Sequence, residues 1–225
     1  MRFAIALAFA ALATGAALAD EASKPLPSPT LDRTAPTMKT ETAVLAGGCF
    51  WGMQGVFQHV KGVSEVVSGF AGGRKETAQY ETVSGGDTGH AESIRITFDP
   101  RQVSFGQILR VYFSVMDPTE LNYQGPDHGT QYRSEIFATS PTQAKIAAAY
   151  VAQLDRAHAF SAAIVTKLGG FSGFYPAEDY HQDYLIRHPD QPYIAYNDIP
   201  KVETLKKLYP SLWRDKPVMV FPERS

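Results

Sequence analysis

The chain has 225 residues, with 21 Lys+Arg against 23 Asp+Glu and a formal charge of −2. That balance gives no reason to expect nucleic acid or an anionic membrane surface as a partner. A single cysteine excludes an internal disulfide framework.

The N-terminus reads Met1-Arg2-Phe3, then an uncharged run from Ala4 to Leu18, with Ala17-Leu18-Ala19 just before Asp20. One early positive charge, a short apolar stretch and a small-residue site predict a secretory signal peptide cleaved near Ala19. A retained anchor is the alternative, but the run is shorter than the roughly 18–20 apolar residues a spanning helix needs. The expectation is a periplasmic or secreted protein, without stable membrane association. Residues 20–40 hold four prolines, mixed charges and few bulky apolar side chains, which predicts a flexible leader. Residues 41–225 then form one catalytic domain.

Thr42–Ala46 is a short apolar strand broken by Gly47-Gly48, and a helix opens at Cys49. Cys49, Met53, Val56, Phe57 and Val60 share one face of it. Val63–Ala71 reads as a strand, and the glycine-rich stretch 72–89, with Tyr80 inside it, as a loop. In the next strand His90, Glu92, Ile94, Ile96 and Phe98 alternate with Ala91, Ser93, Arg95 and Thr97. Ser104 with Gln107 is a capping box for a helix whose stripe is Phe105, Ile108, Leu109, Tyr112 and Phe113. A polar loop over 117–131 leads to a strand at Tyr132–Ala138. A helix follows from Ser140-Pro141 to about His158, then a strand at Ala162–Lys167. The order predicts an α+β fold, a two-layer α/β sandwich with a ferredoxin-like mixed sheet, helices packed on it and a long irregular C-terminal tail.

Exported proteins that use cysteine structurally carry it in pairs, so a lone thiol is an inert core residue, an intermolecular link or a reactive group. Cys49 sits at a helix N-terminus, where free N–H groups and the helix dipole favour a thiolate. Trp51 shares a wheel face with Gln54, Gly55 and Gln58 rather than with the apolar stripe. It suits a binding platform, or a contact for the C-terminal tail. Glu92 points to the core side of its strand, where burial raises a carboxylic acid's pKa and suits it to general acid work. Pairing with Arg133 is the structural alternative. His90 and Glu92 lack a third ligand at metal-binding spacing, so neither metal nor cofactor is expected.

The strings Gly47-Gly48-Cys49-Phe50-Trp51-Gly52, Thr88-Gly89-His90-Ala91-Glu92 and Asp127-His128-Gly129-Thr130-Gln131-Tyr132-Arg133-Ser134 occur in that order. Together they closely resemble the A-type peptide methionine sulfoxide reductases, from about Ala43 to Tyr209. The resemblance implies reduction of methionine S-sulfoxide, as repair after oxidative stress, with Cys49 attacking the sulfoxide sulfur. It implies Glu92 as the acid that protonates the oxygen, and Tyr80 and Tyr132 as phenols that hydrogen-bond it. Phe50 and Trp51 resemble the pocket for the S-methyl group, and Asp127 and His181 residues lining the same site. The product would be methionine and a sulfenic acid on Cys49.

Many family members resolve that sulfenic acid with a further cysteine near the C-terminus, but residues 174–225 contain none. An external small thiol or thioredoxin-like partner is therefore expected as reductant, acting on a monomer. The competing readings are a cysteine hydrolase or acyltransferase with His90 or His128 as base, and an exported binding protein with an inert thiol.

Overall fold

The computed structural model describes residues 25–32 and 38–222. The predicted signal peptide lies outside the described residues. Short elements fill several of the stretches that read as loops.

The sheet starts with β1 (Glu41–Gly47), followed by α1 (Phe50–Gln58) and β2 (Val63–Ala71). A short helix α2 (Tyr80–Val83) interrupts the glycine-rich stretch before β3 (Ala91–Phe98) and α3 (Phe105–Val115). The second polar loop contains a two-stranded ladder, β4 (Tyr123–Gln124) with β5 (Asp127–His128). Then come β6 (Ser134–Ala138), α4 (Pro141–Arg156), β7 (Lys167–Gly170), β8 (Phe174–Pro176), α5 (Tyr184–Arg187) and α6 (Ile199–Leu208).

The six-stranded sheet has the order β7-β6-β1-β3-β2-β8. Its central four strands, β6-β1-β3-β2, pair antiparallel with one another, the arrangement of a ferredoxin-like sheet. β7 runs parallel to β6, which makes the whole sheet mixed. Ala43, Leu45, Val66, Ile94, Ile96 and Phe98 face the helices, joined by Met53, Val56, Phe57, Ile108 and Tyr112 in the main core. The opposite face carries a small cluster of Val44, Ala46, Ala71, Ala91 and Phe137. The central strands are therefore covered on both faces, and β3 is buried at six of its eight positions, where alternation alone would have left half of them wet.

Both predicted helix starts are built as expected. Ser104 Oγ accepts from the Gln107 N–H at 3.1 Å and Gln107 Oε1 accepts from the Ser104 N–H at 2.9 Å, completing the capping box. Ser140 caps α4 through the Gln143 N–H at 3.2 Å.

Three expectations need correction. The strand expected at Ala162–Lys167 lies at Lys167–Gly170, where pairing with the β6 edge decides its place, not side-chain pattern. The tail is ordered rather than irregular, because it returns across α1. Gln54 accepts from the Asp183 N–H at 2.8 Å, and Gln58 donates to Asp183 Oδ1 at 2.6 Å. The leader is not free where it is described. Leu26 donates to Tyr209 Oη at 3.2 Å and accepts from Arg110 Nε at 2.6 Å, while Pro27 accepts from Tyr150 Oη at 2.9 Å. Side chains of α3 and α4 thus satisfy the carbonyls of Leu26 and Pro27.

Candidate active site

Cys49 is the N-cap of α1, directly after Gly48 at φ +85°. Only glycine enters that conformation without strain, and a Cβ there would press into the Gln124 side chain. The turn thus presents Cys49 at the head of the helix, 6% exposed. Glu92 stands at the start of β3, 3% exposed, and its Oε2 accepts the Phe50 N–H at 3.1 Å.

This geometry changes the electrostatics expected of the thiol. The first N–H of α1 serves Glu92. Burial dominates at Cys49 and pushes its pKa well above the ordinary value, with the charges of Glu92 and Asp198 adding to the rise. The Trp51 N–H and Lys201 oppose it, but by less. The resting group is a neutral thiol, not the thiolate that helix position alone suggested. Desolvation outweighs the helix terminus here.

Burial likewise pushes Glu92 up to about 8; the Phe50 N–H lowers it, and Asp127 and Asp198 raise it. At neutral pH Glu92 is an undissociated acid. With Oε2 accepting from Phe50, its proton belongs on Oε1. The structural alternative of an ion pair with Arg133 does not form. Arg133 Nε binds Glu135 at 2.7 Å, and its other nitrogens donate to the carbonyls of Gly89, His90 and Thr130.

Tyr80 opens α2 and Tyr132 ends a 3₁₀ turn before β6, both half-buried. Burial is the first cause holding each phenol above its usual range, and each also feels the charges of Glu92 and Cys49. Cys49, Glu92, Tyr80 and Tyr132, from four separate elements, thus lie within electrostatic reach of one another. Asp127, on β5, accepts a hydrogen bond from Tyr193 Oη.

Phe50 is fully buried and packs on Phe70 at 5.8 Å and on His181 at 5.1 Å between ring centroids. Trp51 is fixed from the tail side. It stacks on Tyr184 at 4.0 Å with 12° between planes, and donates from Nε1 to His181 Nδ1 at 3.1 Å. The wheel face that looked polar is covered by the tail, which is the contact offered for Trp51 as the alternative to a binding platform. His181 must carry its proton on Nε2, a buried nitrogen without a partner among the described residues. Burial holds its pKa below the usual value. A cavity of about 540 Å³ adjoins the site at Asp127 and Lys201 but takes in neither Cys49 nor Glu92.

Sequence reasoning missed two residues of this region, Tyr193 and Asp198, which reach it from the tail. Of the bases a hydrolase would need, neither is placed for the task. His90 spends both ring nitrogens on backbone, at Gly73 N–H (3.2 Å) and Arg74 C=O (2.9 Å). His128 is exposed and stacks on Tyr123. Among the described residues no group of three His, Cys, Asp or Glu could hold a metal ion.

A recessed thiol facing a neutral carboxylic acid and two phenols defines a thiol-dependent oxidoreductase site rather than an acyl-transfer one. The family model for peptide methionine sulfoxide reductase matches residues 41–212. A peptide methionine sulfoxide reductase MsrA 2 of Mesorhizobium japonicum is 61% identical over 182 residues, covering 80% of this chain and 93% of its own. Among solved structures, Mxr1 from Saccharomyces cerevisiae in reduced form superposes with a TM-score of 0.61 at 30% identity, covering 72% of this chain and 92% of that one. Methionine sulfoxide reductase A of Corynebacterium diphtheriae does so at 0.59 and 35%, covering 74% and 84%. The chain belongs to the peptide methionine sulfoxide reductase family.

Proposed function

We propose that this protein reduces methionine S-sulfoxide, free or within proteins, with Cys49 as nucleophile and Glu92 as general acid. The observation that carries the reading is the pairing of a buried thiol with a carboxylic acid kept protonated to about 8. A sulfoxide oxygen leaves only when protonated, so thiol and acid must meet at one S=O. Tyr80 and Tyr132 hydrogen-bond that oxygen, and Phe50 and Trp51 receive the S-methyl group. Asp127, tied to Tyr193, and His181, with its free Nε2–H, line the remainder of the pocket.

Sγ takes the hydroxyl as the substrate becomes a thioether, leaving a sulfenic acid on Cys49. With one cysteine in the chain, the electrons that restore it come from an external thiol or a thioredoxin-like protein. The A-x-A site at Ala17–Ala19 supports export to the periplasm or beyond, where the enzyme acts as a monomer on oxidised proteins without a lasting membrane contact. The test is reduction of a racemic sulfoxide peptide with different thiol donors, with the consumed epimer identified by chromatography. Consumption of both epimers at equal rates would refute the stereochemical assignment, and turnover without any reductant would refute the redox reading.

A further inference from the structure

Asp198 is the one buried carboxylate of the region to which the reaction above gives no part. It closes a π-helical turn, Ile194–Asp198, that runs into α6. π-turns interrupt helices mostly at functional positions. The side chain is fully buried. Oδ1 accepts from Lys201 Nζ at 3.0 Å, while Oδ2 has no partner among the described residues. A buried carboxylate oxygen left unpaired costs on the order of 1–3 kcal/mol or more, so the arrangement needs a reason.

The sequence of α1 makes room for it. A Cβ at Gly52 would lie 2.6 Å from Asp198 Cγ and closer still to Oδ1. Gly52 gives up about 1 kcal/mol of helix propensity relative to Ala, and the space it leaves is filled by this carboxylate. Cys49 is the N-cap of the same helix, three residues before Gly52. The carboxylate thus sits beside the first turn of α1, close enough to Cys49 for its charge to act on the thiol. Proton transfer requires hydrogen-bond reach, direct or through one water.

We propose that Asp198 accepts the Cys49 thiol proton, with Lys201 hydrogen-bonded to its other oxygen and Gly52 giving it access. A neutral thiol needs such an acceptor, and the free oxygen supplies it. As Sγ attacks the sulfoxide sulfur its proton passes to Asp198, and Glu92 gives its own proton to the sulfoxide oxygen. The hydroxyl then transfers to Sγ. The substrate sulfur gains two electrons and becomes a thioether, and Sγ loses two and becomes a sulfenic acid. Asp198 ends with the thiol's proton and Glu92 without its own, which stays on the sulfenic hydroxyl, so the site as a whole neither gains nor loses one.

The groups facing Asp198 are Lys201 from α6, Asp127 from β5, Glu92 from β3, Cys49 from α1 and Tyr193 from the tail. Burial and Asp127 raise the proton affinity of Asp198, and Lys201 lowers it. The carboxylate's charge in turn raises the proton affinity of Cys49. This last effect makes the test discriminating. If Asp198 were only a negative charge, Asp198→Asn would ease ionisation of the thiol and speed its alkylation by iodoacetamide near neutral pH. As a proton acceptor, its loss slows alkylation roughly tenfold and single-turnover methionine release by about 10²-fold, within the usual range for acid–base groups.

Gly52→Ala is the companion variant, because it displaces the carboxylate without removing it and should reproduce both effects. Far-UV circular dichroism and the thermal midpoint check each fold, and Gly52→Ala carries the test alone if Asp198→Asn does not fold. Faster alkylation in Asp198→Asn, or a wild-type release rate in either folded variant, would overturn the proposal. The inference rests on Cys49 as nucleophile. Failure of that reading would show separately, as absence of any methionine burst from the wild type.

Discussion

Glu92→Gln should make the protein more stable while disabling it. The native state holds Glu92 protonated to about 8, against an ordinary value of 4.5. Between those values the folded chain keeps a proton that the unfolded chain releases, so stability falls as pH rises, by about 1.4 kcal/mol per unit. By pH 7 the loss is on the order of 3 kcal/mol, and below about pH 4.5 it vanishes. Glutamine has nearly the same shape, its carbonyl can still accept from the Phe50 N–H, and it has no proton to lose. Thermal unfolding of wild type and variant side by side, from about pH 5 to pH 8, reads the difference directly. For a chain of this size the variant's midpoint near pH 7 should lie roughly 6–12 °C higher, with the gap shrinking towards pH 5. Sulfoxide reduction should fall by about 10²–10⁴-fold, the usual worth of a general acid. A variant less stable than wild type at pH 7, or a gap that ignores pH, would refute the account of Glu92 as a carboxyl held neutral by burial.

Cys49→Ser should fold and show no reduction, since a hydroxyl cannot take up the oxygen reversibly; residual activity above about one per cent would indicate another nucleophile. Wild type with excess sulfoxide and no thiol should release one equivalent of methionine per site and stop, leaving a dimedone-reactive sulfenic acid on Cys49. Two equivalents would mean that something other than this chain's one cysteine performs the resolution. Tyr80→Phe and Tyr132→Phe should each slow turnover less than the double variant does, and a double variant equal to either single would break the shared-oxygen reading. The rate of the first half-reaction should decline as pH rises through about 8, where Glu92 gives up its proton; a rate still climbing there would assign the acid to another group.

The central sheet and the thiol's place were legible because each carries a local signal. The alternation from His90 to Phe98 marks β3 and puts Glu92 on the helix side, and Ser104 with Gln107 marks a helix start. What was illegible is held by groups that hydrophobic periodicity does not score. The tail is ordered by Gln54, Gln58, Gln182 and Asp183, polar side chains that find their partners only after α1 and the tail have met. β7 has the sequence Lys-Leu-Gly-Gly and no alternation to read. Asp198 belongs to no motif, and its importance shows only where Gly52 leaves it room. The thiol's charge state was misjudged for a related reason: helix position is local, whereas burial and the charges of Glu92 and Asp198 that override it depend on the tertiary fold.

The hydrogen bond from Leu26 to Tyr209 spans 183 residues, and that separation has a kinetic meaning. Leu26 precedes β1 in the chain, yet one of its partners is among the last described parts to be made. At about 5–20 residues per second, synthesis leaves the leader waiting roughly 10–40 s for Tyr209. Closing so long a loop carries an entropy cost that grows as the logarithm of its length, repaid only once α3, α4 and α6 already stand. The strap is therefore a late event in folding, and its loosening should be an early one in unfolding. Residues 25–32 should accordingly exchange amide hydrogens and admit a protease well before the sheet does.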